Sequence, residues 1–342
     1  MSAGTEALGR EPGGTAAAGA PRVLLPWRSG PFPVDWDAVF AEDGPLHVEV
    51  GFGDGRFTVR RALAEPGARF VGLEVSSGSV QRALRNVARH GVANVRIAKV
   101  GAEFAVRHLF DRGSIASIVV NFPDPWPKAR HEKNRLMRPA FLELAADRLE
   151  GRGEVRLATD HEGYLEFARE SAAATGLYEE LRPEPPPAVF ETKYALKWRA
   201  QGKPLHYVVF RRNGAPAPAF SHLERPKDMP HALLKGTLPA SAELSKTVAR
   251  HGGGHVILHE AATVMPGGED RGRRWLVRAT VDEPDIRQQL LVLVQQRRED
   301  EVIVRLETFG DPVVTPAVRG AVHEVAEWLA RAAGLEVTER DY

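Results

Sequence analysis

The chain has 342 residues, 43% of them hydrophobic and 27% charged, which is enough apolar material for the cores of two domains. A formal net charge of +1 excludes any argument for nucleic acid from bulk electrostatics, so such a partner has to be read from local clusters. Zero cysteines exclude disulfides, thiolate metal sites and cysteine nucleophiles, and they fit a reducing cytoplasm.

Residues 1–22 are rich in Ala, Gly and Pro and carry Glu6 and Glu11, which reads as a disordered tail rather than a signal peptide. Nowhere do about 18 uncharged apolar residues run together, so no membrane helix is expected and the protein reads as soluble. Leu46–Val50, Phe70–Glu74, Val95–Lys99, Ile115–Asn121 and Glu154–Thr159 are short apolar runs that predict strands. Between them, Arg56–Ala64, Ser79–His90, Glu103–Phe110, Arg138–Glu150 and Gly163–Ala174 space apolar residues at three and four, as crossover helices do, with Gly91 at a C-cap. The alternation predicts an α/β fold, a mostly parallel sheet flanked by helices.

Glu49-Val50-Gly51-Phe52-Gly53-Asp54-Gly55 follows the first strand and precedes a helix, where glycines let a ligand approach the backbone. Its G-x-G-x-G spacing differs from the dinucleotide G-x-G-x-x-G, which disfavours a nicotinamide cofactor. Glu74 ends the second strand about twenty residues on, placed to accept from two ribose hydroxyls. Together they suit an adenosine without phosphates, such as S-adenosylmethionine; taken alone, the loop also reads as a plain strand-to-helix joint.

Asn121-Phe122-Pro123-Asp124-Pro125-Trp126-Pro127-Lys128 leaves the carboxyl edge of the fourth strand, which aims Asp124 at the ligand cleft. From Lys128 to Arg138 five Lys or Arg face one Glu, a cluster suited to phosphate oxygens if it is not simply a solvated face. Trp126 reads equally as a packed anchor or a base-stacking ring, and Asp160 as the N-cap of the helix after it or a ligand contact. Pro183-Glu184-Pro185-Pro186-Pro187 cannot be helical, and Leu205–Phe210 returns as a closing strand. The expected division is a first domain over 23–212, a linker over 213–222 and an α+β domain over 223–342 with strands at His255–Val264, Arg274–Val281 and Glu301–Thr308 and a helix at Arg319–Ala333. His251, His255 and His259 are spaced by four, but the glycines among them oppose a helix, so no metal is expected.

With these motifs in hand, the stretch from Leu46 to Arg212 resembles the bacterial tRNA (guanine-N7)-methyltransferase family, with the last third outside the likeness. The glycine loop, the Phe122–Arg135 segment, Thr159-Asp160 and Thr192-Lys193-Tyr194 carry it, in the family's order. The resemblance implies a Rossmann-like class I methyltransferase that moves methyl from S-adenosylmethionine to N7 of guanine 46 in the variable loop of tRNA. It implies that Glu49, Gly51, Gly53 and Glu74 hold the donor, that Asp124 is catalytic and touches donor and base, and that Lys128, Arg130, Asp160, Thr192 and Tyr194 bind the RNA. Guanine N7 offers a free lone pair, so no general base is needed; alignment and negative charge near the base are. Ala195 stands where the family has a glutamate and Gly101 where it has an aspartate, with Glu103 two residues on as a substitute. Two alternatives stand beside this one: a methyltransferase of another RNA or small substrate, and a tRNA-binding protein that has lost catalysis. Neither a membrane partner nor a particular oligomeric state is specified by the chain.

Overall fold

The computed structural model describes residues 22–40, 42–264 and 273–342; the tail expected over 1–22 lies, apart from Arg22, outside them. A one-turn helix α1 (Trp36–Val39) precedes β1 (Leu46–Val50), α2 (Arg56–Ala64), β2 (Arg69–Glu74), α3 (Ser77–His90), β3 (Val95–Lys99) and α4 (Ala102–His108). Then come β4 (Ile115–Asn121), α5 (Pro139–Arg148), β5 (Leu149–Thr159), α6 (Glu162–Thr175), β6 (Tyr178–Leu181), α7 (Pro187–Phe190), α8 (Lys193–Ala200) and β7 (His206–Arg212). These strands form one sheet in the order β3-β2-β1-β4-β5-β7-β6. β1 to β5 run parallel, β7 lies antiparallel to β5, and β6 antiparallel to β7.

Val48, Val71, Ile97, Ile118 and Val155 are all buried, as strands covered by helices on both faces require. β1 has β2 on one side and β4 on the other, so the chain order reverses there. A crevice for ligands opens at the carboxyl ends of strands flanking such a reversal. α3 is capped by Ser76 at one end and by Gly91, at φ +62°, at the other.

The second sheet contains β8 (His231–Lys235), β9 (Thr247–His251), β10 (Gly254–Val264), β11 (Arg274–Asp282), β12 (Arg287–Arg298), β13 (Glu301–Leu306) and β14 (Glu336–Asp341). Its order is β14-β8-β13-β12-β11-β10-β9, antiparallel throughout. Helix α9 (Pro316–Ala333) buries Val318, Val322, Val325 and Leu329 against one face of this sheet. The α+β character matches the expectation, while four of these strands go beyond it.

Residues 213–222 have linker composition but are tied down. Phe220 N donates to Asp147 Oδ2 at 3.2 Å and its carbonyl accepts from Arg148 at 2.8 Å. Just beyond, Leu223 N donates to His108 Nδ1 at 3.0 Å. In the β11–β12 turn, Asp285 Oδ2 lies 3.5 Å from His108 Nε2 and Ile286 packs into the core of the first sheet, as does Val313 between β13 and α9. Among the described residues no helix is long and apolar enough to cross a membrane.

Candidate active site

The Gly51–Gly55 loop turns out of β1 with Gly51, Gly53 and Gly55 at φ +69°, +59° and +78°, a region that favours glycine. A Cβ on Gly51 or Gly53 would meet nothing within 4 Å, so this edge of the loop faces open space. Gly55 faces inward instead: a Cβ there would stand 2.9 Å from that of Ala83 on α3. Glu74 braces the loop from β2, its Oε2 accepting from Gly53 N at 3.3 Å and its Oε1 from Val75 N and Ser76 N at 2.8 and 2.9 Å. Oε2 keeps lone-pair capacity for a ribose hydroxyl.

Glu49 lies beneath this cradle. It is 6% exposed, with Thr58 Oγ1 donating to Oε2 and Asn121 Nδ2 to Oε1 at 3.3 Å. Burial pushes its carboxyl up to about 7, against the pull of those two hydrogen bonds. Its neighbour His47, hydrogen-bonded to Ser117 Oγ at 2.7 Å, is pushed down to about 4 by burial and then by Arg61. Glu49 therefore faces Thr58 and Asn121 rather than open space. Asn121 was not singled out from sequence, yet its Oδ1 is buried at the crevice and has no hydrogen-bond partner among the described residues. An orphaned acceptor beside an open glycine cradle fits a ligand that brings an N–H donor and ribose hydroxyls, as S-adenosylmethionine does.

β4 ends at Asn121, and the chain then passes through Phe122 at φ +53° and Trp126 at φ +42°. Such conformations persist where the surroundings over-determine them. Arg135 supplies this restraint: its Nε donates to Pro125 O at 3.1 Å and its Nη2 to Trp126 O at 3.3 Å, while its guanidinium covers the Phe167 ring. The sequence reading grouped Arg135 with the phosphate-binding residues, but its charge is occupied inside the loop. Trp126 packs edge-on against His131, which makes it an anchor of the loop. Asp124, Lys128 and Arg130 are exposed.

A wall from α7 and α8 faces this loop. The Tyr194 ring lies 6.5 Å from that of Phe122 and stacks at 6.4 Å on Trp198, and Lys203 Nζ sits 3.5 Å from the Trp198 centroid. The same ammonium reaches Asp160 Oδ2 at 3.2 Å, tying the end of β5 to the wall. Asp160 is not the cap of α6: His161 is, with Nδ1 accepting from Tyr164 N at 3.1 Å. The Asp160 carboxylate thus serves the Lys203 ammonium at the carboxyl end of β5. Thr192 is buried, and its hydroxyl caps α8 by accepting from Ala195 N at 3.1 Å and donating to Val189 O at 3.0 Å. Its hydroxyl serves α8 itself, whereas Tyr194 stands in the open.

The expected substitute for the acid missing at Gly101 is engaged elsewhere. Glu103 is paired with Arg138 at 2.5 Å. Gly101 caps α4, and a Cβ on it would point at the Asp285 carbonyl, 3.7 Å away. Ala195 is buried in α8. Of the three histidines, His251 Nε2 meets Glu324 at 2.8 Å and His259 Nε2 meets Thr280 at 2.7 Å, so they serve different neighbours. Among the described residues no three His, Cys, Asp or Glu converge as metal ligands.

Comparison with known proteins bears on this arrangement. Residues 43–208 match a family model described as a putative methyltransferase. The chain is 41% identical over 321 residues to the tRNA (guanine-N(7)-)-methyltransferase of Thermus thermophilus, covering 93% of this chain and 99% of that one. With the protein of the same name from Deinococcus radiodurans it shares 40% over 310 residues, 88% of this chain and 93% of that one. For the Thermotoga maritima protein the figures are 30% over 313 residues, 90% and 96%. These alignments are too long to stop at Arg212, so the likeness extends into the second sheet, which the motifs alone had left outside. The 16S rRNA methyltransferase KamB superposes on 53% of this chain and 93% of its own with a TM-score of 0.41 and 14% identity. Near-complete coverage of the Thermus and Deinococcus sequences, on a sheet with its crevice at the glycine loop, makes this chain a member of the tRNA (guanine-N7-)-methyltransferase family.

Proposed function

We propose that the protein methylates N7 of the guanine at position 46, in the variable loop of tRNA, with S-adenosylmethionine as donor. The observation that carries this reading is the meeting, at one sheet edge, of an open glycine cradle, the exposed carboxylate of Asp124 and the aromatic wall of Tyr194 and Trp198. S-adenosylmethionine supplies an electrophilic methyl group on a sulfonium. Gly51, Gly53 and Glu74 hold its nucleoside, Asn121 Oδ1 accepts from its amine, and Glu49 positions Asn121 from below.

No proton has to leave N7 before attack, so the protein's task is to orient the base and to meet the positive charge that methylation leaves on it. Asp124 and Asp160 supply negative charge at the ends of β4 and β5. Tyr194 offers a ring for stacking, and Lys128 and Arg130 offer exposed cations for phosphates. The absence of carboxylates at Gly101 and Ala195 favours one second reading, a tRNA binder without transferase activity.

Labelled S-adenosylmethionine and unmodified tRNA separate the two. N7-methylguanine mapped to the variable loop, lost on Asp124→Ala, is the expected result. Binding of tRNA with no transfer would give the field to the second reading, and methylation elsewhere would refute position 46.

A further inference from the structure

Two adjoining hollows of about 190 and about 520 Å³ lie between α2 and α3 and share Arg56, Asn86 and Arg89. The first begins at Asp54 in the glycine loop. The second ends at Glu191 and Leu196, which also line a cleft of about 700 Å³ reaching Trp198, Lys203 and Phe122. An open trough thus leads from the donor cradle to the aromatic wall.

Its lining is basic. Arg56, Arg60, Arg82, Arg85, Arg89 and His90 are all exposed there. Two acids answer them, Asp54 at 3.1 Å from Arg56 and Glu191 at 2.8 Å from Arg60. Among the described residues Arg82, Arg85 and Arg89 form no ion pair; Arg82 only donates to Ser79 Oγ at 2.9 Å.

α3 contains no Asp or Glu, while its Val80, Ala83 and Val87 are buried on the opposite face. A solvated helix face gains from mixing signs at i and i+4, and like charges there destabilise it. Positions 82, 85 and 89 fall on one face and span about 10 Å along the axis. A single-sign row of guanidiniums bordering an open trough is matched to a row of anions. The aromatic wall at one end offers the exposed Tyr194 ring for stacking, which suits anions joined to bases.

We propose that this trough holds the phosphodiester backbone of the tRNA stretch adjoining the target nucleotide. The proposal rests on the tRNA reading above and adds to it a contact surface separate from the Lys128–Arg130 loop. Guanidinium suits it because its fork pairs with phosphate oxygens in two-point fashion.

The test compares Arg85→Ala/Arg89→Ala with Arg85→Lys/Arg89→Lys and Arg85→Glu in the full-length protein. tRNA affinity is titrated against KCl, with S-adenosylmethionine affinity by calorimetry as the control for folding and donor binding. The alanine pair is expected to bind tRNA at least about tenfold more weakly at moderate salt and to flatten the log K against log salt slope by about 1.4 to 1.8, as loss of two phosphate contacts requires. The lysine pair should keep the slope, and Arg85→Glu should weaken binding, both at unchanged donor affinity. A wild type that binds and methylates tRNA, together with variants of identical slope, overturns the trough alone. A wild type that binds no tRNA overturns the functional reading and the trough with it. Loss of binding to an acidic protein, with tRNA binding intact, would assign the trough to another partner and overturn it too.

Discussion

Lys203 holds Asp160: its ammonium stands 3.2 Å from Oδ2 while resting on the Trp198 ring. Lys203 remains 42% exposed, so the ion pair contributes no more than about 1 kcal/mol to folding. Asp160→Asn should therefore leave the denaturation midpoint nearly unchanged. If the carboxylate serves the base, tRNA methyl transfer should fall about tenfold or more at constant donor affinity. Parallel melts and initial rates check this, and undiminished rates would remove Asp160 from the site.

Glu49 and His47 give the fold a specific pH response. The carboxyl of Glu49 is pushed up to about 7 by burial, so between its ordinary value near 4.5 and 7 the folded protein binds the extra proton. Stability from this group is complete below about 4.5 and declines as pH rises to 7. His47 is pushed down to about 4, so its share climbs from pH 4 to 6.5. The two offset one another over most of that window. Glu49→Gln should expose the His47 limb: relative to wild type, the variant gains stability between pH 5 and 8, on the order of 2 kcal/mol. Urea midpoints at those two pH values decide it, and a pH-independent difference would show that Glu49 stays ionised.

Gly53 and Gly55 should respond differently to the same change. Gly53→Ala places its methyl in open space at φ +59°, costing about 1 kcal/mol of strain and obstructing the donor. Gly55→Ala adds a contact with Ala83 to similar strain, so it should cost more stability. Calorimetric donor affinity at a temperature where both remain folded is expected to fall for Gly53→Ala. Equal affinity in that variant would place the donor elsewhere.

Asp285 fastens the second sheet to α4. Burial pushes its carboxyl up, but the hydrogen bond and charge of His108, with Arg107, outweigh this and hold it below the usual range. Stability from Asp285 is thus present above its unfolded pKa and lost as the solution is acidified. Asp285→Ala should lower stability at neutral pH by about 1–3 kcal/mol, and less in acid. Melts at neutral pH and near pH 4 check both halves of the statement; an equal loss at the two would assign it to packing.

Legibility in the sequence followed burial. β1 to β4 lie within a residue of their predicted limits because both faces are covered and each run is mostly apolar. β6 was missed because Tyr178–Leu181 carries Glu179 and Glu180, which pair with Arg152 and Arg169 at the sheet edge. β14 is mostly exposed and equally charged. At the site, Glu74 and Asp124 stood out by position on strand ends, whereas Asn121 emerges only when its lone carbonyl oxygen is seen buried. Arg135 and Thr192 show the opposite error, since spacing does not reveal which polar groups the fold consumes. The arginines of α3 gave no signal in the sequence, because only the trough shows what they border.

Phe220, Leu223, Ile286 and Val313 all press into the core of the first sheet. Val313 is 1% exposed, so this seam is as dry as the interior it joins. A protein cut after Arg212 would carry a bare apolar stripe along α4 and α5. The boundary between the two sheets is therefore a shared wall, and removing either half would bare the apolar face of the other.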